Sequence, residues 1–332
     1  MSSEVRVLKI KEGSRVCCLG DSLTEMGYWI YNINGYLSDI GSKTRFYNCG
    51  IGGNMSSDAP YYLEEEVLRY DPDYVIVMFG ANDVGSYLYC RRYEDGSDAE
   101  RDRQEEILRR RKRYEANMKI ICQMLIQRNV NVILMTPMPF DDYERNTGCD
   151  VFYGAYDELK RCGDTVKNIS KEMGTEVIEL CEQFKAVEDF FEKDGVRLYM
   201  DDRVHPNENG HKVMASIILK CLEYDIEIPK SEKELNSLPF FKSEKNDARF
   251  ETEKMLRKLS FIERSRYNYE NKRQYFLSWE EVAEDLTRRC FIGDFEEWES
   301  VDGYKENARN LILNRPRKNE LERQLIQQTE TL

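Results

Sequence analysis

The chain has 332 residues and a net charge of −13 at neutral pH, with 41% hydrophobic and 33% charged residues. That length suits about two domains and that composition a soluble globular protein. The acidic excess excludes a nucleic-acid partner, whose phosphates it would repel, and no apolar run approaches the ~20 residues needed to span a bilayer.

The opening MSSEVRVLKIKEGSRV has no apolar core followed by a small-residue cleavage site, so a cytoplasmic protein is expected. Ten cysteines without a C-x-x-C pair then read as reduced thiols rather than disulfides or metal ligands.

In chain order, RVCCL (15–19) is a short buried strand closed by Gly20, and RFYN (45–48) is a second, followed by glycines. YVIVMF (74–79) and NVILMT (131–136) are the clearest strands, and TEVIEL (175–180) is the fifth. Helical spacing fills the gaps at 112–128 and 156–173 and closes the series at 208–224. The locally basic run RDRQEEILRRRKRY (101–114) mixes signs at helical spacing and reads as a solvated helix face. The preceding segment, 86–104, follows a glycine-bearing loop and is expected to border any site there.

Short buried strands alternating with helices imply an α/β fold, a three-layer α/β/α sandwich around a parallel sheet. Residues 226–239 break the rhythm as a linker. We therefore expect an α/β domain over 1–228 and a charged, mainly helical extension over 229–332. The extension's candidate helices are 248–276, 278–291, where Ser278 and Glu281 fit a capping box, and a stretch past Pro316. It is expected to pack on the first domain or on a second copy of the chain, giving a possible homo-oligomer.

In such sheets ligands bind beyond the carboxyl ends of the strands. The first strand end, LGDSLT, places Ser22 two residues past Gly20. The second, NCGIGGNM (48–55), fails the dinucleotide pattern because Met55 stands where the third glycine would fall. A glycine offering its bare N–H to a ligand is the better functional reading there. The third, FGANDVG (79–85), puts Asn82 where its amide can face the same crevice. Each motif alone is ordinary turn chemistry.

The last is DDRVHPNENGH (201–211), which holds both histidines of the chain. Asp202 and His205 are three apart, close enough for the carboxylate to orient the imidazole and leave Nε2 free as a base. His211 reads as structural. Together these strand ends hold a nucleophile, a base with its orienting acid and neutral donors, the inventory that acyl transfer requires.

The blocks GDSL, G-x-N-D and D-x-x-H, in this order, resemble those of the SGNH (GDSL-type) hydrolase superfamily over residues 13–224. The resemblance implies Ser22 as nucleophile, His205 as general base and Asp202 as its orienting acid. It also implies an oxyanion hole from the Ser22 N–H, the Gly53 N–H and the Asn82 amide, with Gly52 the near alternative to Gly53. Where that family often has Asp-Thr after the glycine, this chain has Asn54-Met55.

No metal or organic cofactor is implied. The expected substrate is a small-molecule or carbohydrate ester with a short acyl group, acetyl foremost. Tyr28, Trp29, Tyr31 and Tyr36 either stack on a sugar or pack in the core. A lysophospholipase or thioesterase, and a binding protein built on an inactive hydrolase scaffold, are the competing readings.

Overall fold

The computed structural model describes residues 8–89, 98–141, 152, 154–240 and 246–257. The expected helix at 278–291 with its Ser278–Glu281 box, the stretch past Pro316 and the part of 248–276 beyond 257 lie outside the described residues.

The elements run β1 (Arg15–Gly20), α1 (Ser22–Glu25), α2 (Tyr28–Asp39), β2 (Arg45–Gly50), α3 (Leu63–Glu66), β3 (Tyr74–Met78), α4 (Asp98–Gln127), β4 (Asn131–Met135), α5 (Ala155–Met173), β5 (Glu176–Ile178), α6 (Leu180–Lys193), α7 (Glu208–Cys221) and α8 (Glu232–Asn236). A further helix, α9, spans 246–257. Val16 to Leu19 of β1 are all buried, the continuous apolar run of a parallel strand covered on both faces.

The five strands form one parallel sheet in the order β2-β1-β3-β4-β5. The crossover from β1 to β2 runs one way along the sheet and those from β3 to β4 and β4 to β5 run the other. Right-handed crossovers therefore put α2 on one face and α4 and α5 on the opposite face. The packing agrees, since α2 lies against α7 and α4 against α5. This is the expected three-layer α/β/α architecture.

Three of the departures from sequence expectation have a visible cause. β2 extends to Gly50 because the chain stays in register with β1 through Gly20↔Gly50. β5 stops at Ile178, because the side chain of Thr136 accepts the Cys181 N–H at 2.9 Å and starts α6 there. α4 begins at Asp98 rather than near 112. Its added turns are the mixed-sign run, tied by i,i+4 pairs such as Glu106–Arg110 at 3.0 Å.

Beyond residue 228, Leu235 of α8 is buried, as are Arg249, Glu253, Leu256 and Arg257 of α9. These α9 residues pack against the β2 edge and against α3. None of the described helices is long and apolar enough to cross a membrane.

Candidate active site

The register aligns Gly20 with Gly50 on one side and with Met78 on the other, so β1, β2 and β3 end level at one edge of the sheet. Ser22, Gly53 and Asn82 all leave from that edge.

Ser22 opens α1, a four-residue helix whose N-cap, Asp21, accepts the Leu23 N–H at 3.0 Å. The turn is tight because α1 lies directly on two strand ends. A Cβ on Gly20 would sit 2.6 Å from the Met78 carbonyl, and one on Gly50 would sit 2.3 Å from the Glu25 nitrogen. Only glycine lets backbone approach backbone this closely.

His205 bridges the other two members of the expected catalytic set. Its Nε2 lies 2.8 Å from Ser22 Oγ and its Nδ1 lies 2.6 Å from Asp202 Oδ2. With Asp202 ionised, Nδ1 carries the proton and Nε2 accepts from the serine hydroxyl.

The loop holds this pair by its own hydrogen bonds. Asp202 Oδ1 accepts the N–H groups of Val204 (3.0 Å) and His205 (2.9 Å), and the Met200 N–H donates to the His205 carbonyl at 2.8 Å. Arg203 takes up the bend at φ +64°. Asn207 caps α7 and also donates to the carbonyls of Arg197 and Tyr199. Partial burial works to raise the Asp202 pKa, but the two N–H donors and the imidazole outweigh it and hold the carboxyl below its usual range.

Gly53 is exposed at φ +75°, in the left-handed region that glycine tolerates, with open space where a Cβ would point. The neighbouring Gly52 is half-buried, with its N–H facing the Glu25 carboxylate. Asn82 Nδ2 donates to the Asn54 carbonyl at 2.9 Å, which uses one of its two amide hydrogens and fixes the side chain.

Beside it, the buried Asp83 carboxylate accepts the Ser56 N–H at 3.0 Å and its hydroxyl. Burial pushes Asp83 up to about 6 and Asp21 up to about 7; the Asp83 charge adds to the cost at Asp21, as the Asp58 charge does at Asp83. Sequence reasoning missed Asp83, Ser56 and Glu25. Asp83 follows Asn82 directly and was legible as a residue, but its partner is 27 positions away.

His211 is buried, packs its ring 5.3 Å from that of Tyr28, and is depressed to about 3 by burial. It is a neutral packing residue. Trp29 and Tyr36 lie in the core, while Tyr28 and Tyr31 meet Phe250 of α9 in tilted ring contacts at 5.0 Å each. Among the described residues, no group of three or more His, Cys, Asp and Glu side chains is arranged to hold a metal ion.

The GDSL-like lipase/acylhydrolase family model matches residues 18–213, a span that takes in every one of the strand-end blocks. The chain belongs to that family. It is accordingly a carboxylic ester hydrolase.

Among curated relatives, the acetylxylan esterase of Geobacillus stearothermophilus is 25% identical over 239 residues, covering 66% of this chain and 98% of that protein. The acetylxylan esterase of Xylanibacter ruminicola is 25% identical over 232 residues, covering 64% of this chain and 44% of that protein.

Solved structures share the fold. A gut microbial diltiazem-metabolizing enzyme superposes with a TM-score of 0.72 at 16% identity over 98% of this chain and 96% of that one. A catalytic mutant of the Geobacillus acetylxylan esterase superposes with a TM-score of 0.51 at 24% identity, covering 66% of this chain and 98% of that one.

Proposed function

We propose that this hydrolase is a serine esterase that removes short acyl groups, acetyl foremost, from a carbohydrate-type alcohol. The observation that carries the reading is the unbroken hydrogen-bonded relay from Ser22 through His205 to Asp202, at 2.8 and 2.6 Å.

In this mechanism Ser22 Oγ attacks the ester carbonyl as its proton passes to His205 Nε2, and Asp202 stabilises the imidazolium. The oxyanion accepts the N–H groups of Ser22 and Gly53 and the second amide hydrogen of Asn82. Collapse expels the alcohol, which takes the proton from His205, and leaves an acyl-Ser22 ester. Water, deprotonated by His205, then attacks that ester. The carboxylate departs and Ser22 regains its proton.

The choice of Gly53 over Gly52 rests on the exposure of Gly53 and the open space at its left-handed turn. The preference for acetyl rests on the two acetylxylan esterases among its relatives. It is supported by the openness of the relay, with the Asp202 and His205 side chains 48% and 26% exposed. Among the described residues, seven buried free cysteines fit a reducing compartment, the cytoplasm.

The test is hydrolysis of p-nitrophenyl esters from acetyl to dodecanoyl, beside Ser22→Ala. Activity confined to the shortest acyl groups and lost in the variant is expected, with acetylated xylo-oligosaccharides as the next substrates. A preference for long chains would transfer the reading to lipid esters. Equal, negligible rates for both proteins on every ester would contradict an esterase.

A further inference from the structure

α9 lies outside the span that the family model matches, yet it reaches the catalytic edge of the sheet. β2 is an edge strand, so one side of its backbone has no neighbouring strand to bond. Side chains of α9 take that place. Arg249 Nη2 donates to the Phe46 carbonyl at 2.5 Å, and the Glu253 carboxylate faces the Asn48 N–H. Arg249 and Glu253 also pair with each other at 3.3 Å.

One turn further on, Arg257 Nη1 lies 3.2 Å from the Glu66 carboxylate at the end of α3. All four of these ionic side chains are buried, none more than 4% exposed. Burying charge gains little stability over a well-packed apolar set, so such a network is better suited to fixing position than to adding strength.

What lies between these two grips is the loop 51–62, which leaves β2 and leads into α3. It carries Gly53, the Asn54 carbonyl that orients Asn82, and Ser56, which binds Asp83. Its start is reached as well. Arg257 stands within electrostatic range of Glu25, whose carboxylate faces the Gly52 N–H. Asn48 itself donates to the Glu25 carbonyl at 3.0 Å and accepts the Gly50 N–H at 3.0 Å.

We propose that α9 is a positioning element of the esterase site, in which the Arg249–Glu253 pair and Arg257 hold both ends of the 51–62 loop, and Glu25 faces its first residues, so that the Gly53 N–H and the Asn82 amide face the oxyanion. This rests on the esterase reading above. It assigns to residues outside the family span a part in transition-state stabilisation rather than in substrate binding. Displacing an oxyanion donor lowers kcat and leaves ground-state binding nearly intact.

The experiment uses the full chain with Glu253→Ala, Glu253→Gln, Glu25→Ala and, on the exposed side of α9, Glu251→Gln as control. For each, kcat and KM on p-nitrophenyl acetate, the inhibition constant of a boronic acid that mimics the tetrahedral intermediate, and Tm are measured. Glu253→Ala is expected to lower kcat by roughly a hundredfold with KM little changed. The boronic acid should weaken in step.

Glu253→Gln keeps an oxygen for Arg249 and should recover most of the loss, and Glu251→Gln should match wild type. Glu25 is only partly buried, so Glu25→Ala keeps the test alive should Glu253→Ala not fold. It is expected to lose roughly tenfold in kcat and in boronic-acid affinity.

Folded variants with wild-type kcat and boronic-acid affinity, or a loss confined to Tm, would overturn the proposal. A wild-type protein that neither hydrolyses the ester nor binds the boronic acid would instead overturn the esterase reading itself.

Discussion

The two halves of the site are built in opposite ways. The half that holds Ser22, Gly53 and Asn82 sits on three aligned strand ends, with backbone packed against Gly20 and Gly50 and two buried carboxylates, Asp21 and Asp83, tying turns together. Its fixed points are contributed by residues far apart in the chain. The half that holds Asp202 and His205 is one loop, partly exposed, bonded mainly to itself between Met200 and Asn207.

The difference follows from the task we propose for each half. Donors for a developing charge must not move, so long-range packing sets them. A proton carrier must meet solvent and leaving group, so a short accessible loop serves it.

The comparison can be broken first on the exposed half. Asp202→Asn is expected to lower kcat by roughly 10³ to 10⁴ with Tm almost unchanged, because it removes the acceptor that fixes the His205 tautomer. Steady-state kinetics with a melting curve checks this. A large fall in Tm would mean that the loop depends on that carboxylate for folding as well.

On the packed half, Asn82→Ala removes an oxyanion donor and should reduce kcat by roughly 10² to 10³. It should also release the Asn54 carbonyl, and hydrogen exchange in the 51–62 segment would report the loosening.

The smallest effect is a pH slope. Burial raises Asp21 from 3.8 to about 7, so across that window the folded protein keeps a proton that the unfolded chain has released. Unfolding then releases protons, and stability falls as pH rises through it. In Asp21→Asn that part of the slope should vanish, and denaturant titrations at several pH values would measure it. An unchanged slope would mean that Asp21 is ionised throughout.

What could be read from the sequence divides along the same line. The Asp202–His205 pair was legible because its geometry is local, three residues on one loop. Ser22 and Asn82 were legible as strand-end residues because the parallel strands announce themselves as buried runs and place their ends at one edge, whereas Gly53 was singled out within its block only by the family resemblance.

The anchoring of the packed half was not legible. Ser56 finds Asp83 across 27 positions, and Arg257 finds Glu66 across 191. In sequence, α9 looks like any charged helix. Only the folded edge of β2 shows that its charges face inward. The aromatic run after Ser22 carried the same ambiguity. Trp29 and Tyr36 go to the core, and Tyr28 and Tyr31 meet Phe250, a partner that no local pattern specifies.

The claim that Ser22 is the nucleophile, activated by His205, is tested most directly by covalent labelling. The protein is treated with an activated p-nitrophenyl phosphonate and mapped by peptide mass spectrometry while ester hydrolysis is followed. The account predicts a single phosphonyl group on Ser22, activity lost in proportion to its occupancy, and slow labelling in Asp202→Asn. Full occupancy of Ser22 with hydrolysis intact, or loss of hydrolysis with the label on another residue, would contradict it.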